Sequence, residues 1–119
     1  MAEIHDMATA LGRALGQTTE YQALDRAMKL ADDDRDMVEM KNEIQKLEGA
    51  LQMGMTQGRQ PTKEEVEEYE NALLRLQGLG SYQAVVAAQA NFEKVMHKVN
   101  EAIQSGMVEG VASRIIIPG

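Results

Sequence analysis

Apolar side chains recur at intervals of three and four almost throughout this chain, the spacing of helices that bury one face. The clearest run is Met37, Met40, Ile44, Leu47 and Leu51, whose three-four-three-four steps describe the seam of a long, coiled-coil-like helix over about 34–56. At 1.5 Å per residue that helix is roughly 35 Å long. Before it, Ile4, Met7, Leu11 and Ala14 predict a helix over about 3–16, and Tyr21, Leu24, Met28 and Ala31 a second over about 20–31. Val66, Tyr69, Leu73 and Leu76 give a fourth. A fifth, about 82–105, is apolar around more of its circumference. Val85, Gln89, Phe92, Met96, Val99 and Ile103 form one seam, and Val86, Ala87, Ala88, Ala90 and Val95 widen it.

The breaks carry matching signals. Gly16 ends the first helix, and Thr18 or Thr19 can cap the second. The run "ADDDRD" supplies a break and an acidic N-terminus for the third. Gly58 and Pro61 stop that helix, and "TKEE" opens the fourth as a capping box of Thr62 and Glu65. "GLGS" closes the fourth helix, leaving Ser81 to cap the fifth. The expected fold is therefore all-α: an antiparallel helical bundle of about five helices, two of them long. Residues 1–105 form the single helical domain and 106–119 a C-terminal tail. Within the tail, Ile115, Ile116 and Ile117 are β-branched and consecutive, which predicts a short extended strand or an apolar plug.

A seven-residue form occurs twice: Tyr21, Gln22, Ala23 and Ala27, then Tyr82, Gln83, Ala84 and Ala88. Each follows a candidate cap, and small residues one turn apart let a neighbouring helix approach. A shared way of entering a buried helix accounts for both.

Long helices overhang the core that a chain of 119 residues can build. A symmetric second copy is the simplest cover, so a homodimer is expected. Its interface would use Val85, Gln89, Phe92, Met96, Val99 and Ile103, with Ile115, Ile116 and Ile117 from the tail.

Composition sharpens this picture. Nine Met, a single Phe and no Trp make a core of aliphatic and thioether side chains, suited to helix-on-helix packing. Nineteen acidic residues against twelve basic give a net charge of −7, with the basic residues scattered singly. That argues against direct nucleic-acid binding, which draws on clustered Lys and Arg. There is no Cys, so disulfides, thiol catalysis and Cys-ligated clusters supplied by this chain alone are excluded. The N-terminus lacks the basic-then-apolar form of a secretory signal, and no apolar run approaches the ~20 residues of a membrane span. A soluble, cytoplasmic protein is expected.

Chemistry is sparse. Neither a Gly-rich phosphate loop nor an evident nucleophile–base pairing stands out, and the chain reads as a non-enzyme without a cofactor. One alternative is a metal or small-ligand site at His97, which has Glu93 four residues before it and Glu101 four after, all on one helix stripe. An exposed, salt-bridged face flanked by Lys94 and Lys98 explains the same spacing. The acidic run Glu64, Glu65, Glu67, Glu68 and Glu70 reads as a solvated first turn favoured by the helix dipole.

Three stretches together, "RALGQTTEYQALDRAMKLADDDRDMVEMKNEIQKLEGALQ", "TQGRQPTKEEVEEYENALLRLQ" and "SYQAVVAAQANFEKVMHKVNEAI", resemble the YlbF/YmcA family of small bacterial helical proteins over about residues 4–105. Gln57–Thr62 is the most recognisable part. The resemblance implies an all-helical, oligomerising protein with no known catalytic residues. Some members of that family act as regulatory adaptors, forming a complex that influences an RNA-processing endoribonuclease. The iron–sulfur clusters of that complex are bound partly through Cys, which this chain lacks, so that function does not carry over. What the resemblance implies here is a non-enzymatic adaptor acting through homo-oligomerisation and contacts with regulatory proteins or an endoribonuclease complex.

Overall fold

The computed structural model describes residues 1–116, with side chains through residue 113. Five helices follow in order: α1 (Ala2–Gly16), α2 (Thr19–Asp33), α3 (Arg35–Thr56), α4 (Lys63–Gln77) and α5 (Gly80–Ile116). No strand occurs among the described residues.

The caps explain why the helices start where they do. Thr18 serves two helices at once: its hydroxyl donates to the Leu15 carbonyl at 2.6 Å and accepts from the Tyr21 N–H at 3.1 Å. Asp34 accepts from the Asp36 N–H at 3.0 Å, and Thr62 from the Glu65 N–H at 3.1 Å. Each gives an otherwise unpaired first-turn donor a partner. Gly58 adopts φ +79°, a left-handed conformation that costs a residue with a Cβ dearly. Arg59 N–H then closes on the Gly54 carbonyl at 2.8 Å, and α3 ends.

Two antiparallel pairs make up the molecule. In the α3–α4 hairpin, Ile44 and Ala72 are buried. Tyr69 donates to Glu48 at 2.8 Å and Arg75 pairs with Glu43 at 3.3 Å, rungs that run in opposite directions along the two helices. In the second pair, α2 lies along the first half of α5. Tyr21 meets Phe92 edge-to-face with ring centroids 5.2 Å apart. At the other end of this pair, Ser81 donates to the Asp34 carboxylate at 2.6 Å. The hydroxyl of Ser81 thus ties the α2–α3 corner to the start of α5.

That bond corrects one expectation. Ser81 does not cap α5, because the helix has already begun at Gly80, with the Leu79 carbonyl accepting from the Gln83 N–H at 3.0 Å. Two further differences concern the end of α5. It runs without a break past residue 105, and residues 115 and 116 are helical, not extended. Gly106 and Gly110 each weaken a helix by about 1 kcal/mol relative to Ala, but neither removes a hydrogen bond. The next proline after Pro61 is Pro118. Ile117 lies outside the described residues.

At 37 residues α5 is by far the longest element, and α2 covers only about half of it. The molecule is correspondingly drawn out, 70 × 37 × 22 Å with a radius of gyration of 22.0 Å. A compact domain of this length would have a radius of about 13–14 Å.

Candidate interaction surface

The fifth-helix seam named from the sequence divides into two parts. Phe92 is taken by Tyr21 of the same chain, and Val85, Met96 and Val99, which share its side of the helix, are half-buried. Ala88 on the same side is buried, and its small side chain lets the partner helix lie close. Gln89 is exposed. Ile103, one turn beyond the reach of α2, is 46% exposed. Residues 115 and 116 lie in the last turn of α5, and Ile117 falls outside the described residues.

Past Ile103 the apolar character continues into solvent. Met107, Val108 and Val111 are all exposed, Val108 at 70%. On α1, Ile4, Met7 and Leu11 form one stripe, and that helix has no buried residue. The sequence assigned the α1 positions to a helix face without naming what covers it, and placed Met107, Val108 and Val111 in the tail beyond residue 105. Helical phase identifies such a stripe but is silent about its neighbour.

Polar groups are spent in local pairs. His97 Nε2 lies 2.7 Å from Glu101 Oε1, both on the exposed side of α5. Glu93 does not join them: among the described residues no group of three or more His, Cys, Asp or Glu side chains is placed to hold a metal ion. Of the stripe Glu93, His97 and Glu101, the last two form the ion pair found on it among the described residues. Lys29 pairs with Asp25 at 2.8 Å, and this hydrogen bond raises the ammonium pKa above its ordinary value. The Tyr69 phenol is also pushed up, chiefly by its hydrogen bond to the Glu48 carboxylate. Asp34 is held below the usual carboxylate range, first by the Ser81 hydroxyl, with burial opposing and the Met37 and Asp36 N–H groups assisting. That Asp34–Ser81 tie has no signature in the sequence, since it joins residues 47 apart.

The Gln57–Thr62 stretch is a helix stop. Gly54 is buried under the Arg59 side chain, whose Nη2 would sit 3.5 Å from a Cβ added there. The guanidinium sets a positive charge over the last turn of α3, at the negative end of that helix's dipole. Leu51, Pro61, Thr62 and Glu65 complete a cleft of about 260 Å³ around it. Among the described residues no helix is long and apolar enough to cross a membrane.

Comparison with known proteins agrees with this architecture. A solved structure titled "Protein of Unknown Function (DUF964) from Bacillus stearothermophilus" superposes with a TM-score of 0.61, covering 90% of this chain and 94% of that one at 18% identity. It shares the fold. A UPF0342 protein of Limosilactobacillus reuteri is 26% identical over 105 residues, 88% of this chain and 85% of that protein. A UPF0342 protein of Staphylococcus saprophyticus is 22% identical over 100 residues, 84% of this chain and 88% of that one. The family described as "Control of competence regulator ComK, YlbF/YmcA" matches residues 4–107, which takes in α1 to α4 and most of α5. The chain therefore belongs to the YlbF/YmcA family.

Proposed function

We propose that this chain is a non-enzymatic, cytoplasmic helical adaptor that works as a homo-oligomer, most simply a homodimer, and through contacts with other regulatory proteins. One observation carries the reading: the molecule has far more surface than its mass requires. It exposes 9531 Å², whereas a compact monomer of 13.1 kDa exposes about 6,400 Å². Side chains that a monomeric domain would bury are held outward on helices instead. The family's description points to control of a competence regulator, and family analogy extends this to RNA processing by an endoribonuclease.

Light scattering on the purified protein at micromolar concentration tests the oligomer, and a strictly monomeric mass contradicts it. Affinity capture from the native cell tests the regulatory contacts. Recovery of an endoribonuclease or its regulators is the expected result. Capture of the chain alone would count against an adaptor.

A further inference from the structure

Two unpartnered apolar stripes leave the same end of the molecule. The first turn of α2 lies beside Asn91, Lys94, Val95 and Lys98, so α1, joined to α2 through Gln17 and Thr18, starts level with about residue 98 of α5. Everything in α5 beyond that level projects past α2. The exposed α1 stripe, from Ile4 to Leu11, is about 10 Å long. The uncovered part of α5, from Ile103 to the last described residue, is about 20 Å. The α5 stretch is long enough to cover the whole α1 stripe, yet within the chain both stay exposed, from 39% at Leu11 to 70% at Val108.

We propose that α1 of one copy lies along the distal half of α5 of a second copy, and reciprocally, so that a pair of chains closes both stripes. This rests on the homo-oligomeric reading above and specifies its interface. Area identifies the occupant. The surface in excess of a compact monomer is about 3,000 Å² per chain, well beyond the ~800 Å² per partner of a standard complex and matching or exceeding the roughly 1,000–2,500 Å² of obligate dimers. Charge agrees with it. Between residues 102 and 113, α5 carries a single charged side chain, Glu109, and depletion of charge marks the buried centre of an interface. Gly106 and Gly110, in phase with Ile103, have open space where a Cβ would stand, leaving a flat strip on which a helix can lie close. Two-fold symmetry then supplies the second contact without further sequence.

The absence of Cys gives a clean background for the test. Single cysteines are placed on α1 (Ile4→Cys, Met7→Cys, Leu11→Cys) and on α5 (Ile103→Cys, Met107→Cys, Val111→Cys). Each α1 variant is mixed with each α5 variant, unfolded and refolded together, and oxidised. A disulfide requires Cα atoms about 4.4–6.8 Å apart, and three positions on each helix cover either helix direction. Circular dichroism checks that every variant keeps its helicity. The expected result is a covalent mixed dimer in at least one pairing, and a dimeric mass for the unmodified chain. A dimeric mass with no α1–α5 disulfide in any pairing overturns this interface and leaves the oligomeric reading standing. A monomeric mass overturns both, and intrachain bridging in chains carrying both cysteines would then show that α1 folds back on its own α5.

Discussion

Dilution is the perturbation to which a shape of this kind responds most directly. Among the described residues three of the five buried apolar ones are alanines (Ala31, Ala72 and Ala88), and only Met37 and Ile44 are large. In the proposed dimer such a core would leave much of the folding free energy to be supplied by association, and a species stabilised by association unfolds at a temperature that depends on its concentration. Unfolding entropy is about 2.1 cal/mol/K per residue, which for 119 residues is about 0.25 kcal/mol/K per chain and about 0.5 for a dimer. Each tenfold dilution shifts the dissociation-linked equilibrium by about 1.4 kcal/mol. The melting temperature should therefore fall by about 3 °C per decade, or about 8 °C over three decades. Circular dichroism in cells of different path length covers that range in a single buffer. A midpoint constant to within a degree across three decades would refute the reasoning, since a chain that unfolds as a monomer has no concentration term.

The hairpin and the corner offer sharper local tests. Ala72 is wholly buried against α3, so Ala72→Leu should overpack the α3–α4 contact and cost about 1–3 kcal/mol in urea unfolding. Gly58→Ala forces a Cβ into φ +79° and should cost about 1–2 kcal/mol, measured the same way with α-helical content unchanged. Ser81→Ala removes the hydroxyl that most lowers the Asp34 pKa. A depressed carboxylate stabilises the fold above its unfolded pKa of about 3.9, and that stabilisation is lost as pH falls through the lower folded value. The variant should thus show a shallower acid loss of stability than the parent below about pH 4, and identical slopes would exclude the tie as the cause.

How much of this was visible in the residues depends on the range of each interaction. The α3 seam was legible because helical phase alone selects its inner face: Met37 and Ile44 are buried, and Met40, Leu47 and Leu51 half-buried. Thr62 was legible as a cap, and the cap of α2 was narrowed to Thr18 or Thr19, because a cap acts on the helix that begins at the next residue. Ser81 was misread because the same hydroxyl can serve a local N–H or a distant carboxylate, and only the fold brings Asp34 within 2.6 Å. The end of α5 was placed too early because Gly106, Gly110 and the isoleucines weaken helix propensity without breaking the hydrogen-bond ladder. The seam through Phe92 was read as one surface for a second copy. Spacing cannot say whose helix fills a groove, and Tyr21 of the same chain claims its first half.

The two ends of the molecule differ in how complete they are. At the Ser81 end, the α3–α4 hairpin closes on itself through Ile44, Ala72 and the rungs Tyr69–Glu48 and Arg75–Glu43. Glu64, Glu67, Glu68 and Glu70 make an exposed acidic face suited to water, beside exposed Met53, Met55 and Leu74. At the other end, α1 and the distal half of α5 hold apolar side chains that stay largely exposed in the chain. Burial of apolar area is the term that stabilises association, so in the proposed dimer the α1 end would supply the drive, while the glutamates of α4 would weaken pairing through the hairpin's acidic face. An adaptor needs such a division, because a surface consumed in holding two copies together cannot also engage a third protein. Pairing through α1 and distal α5 would leave both hairpins projecting from the assembly with their faces unobstructed, which is where any further regulatory contact has room to form.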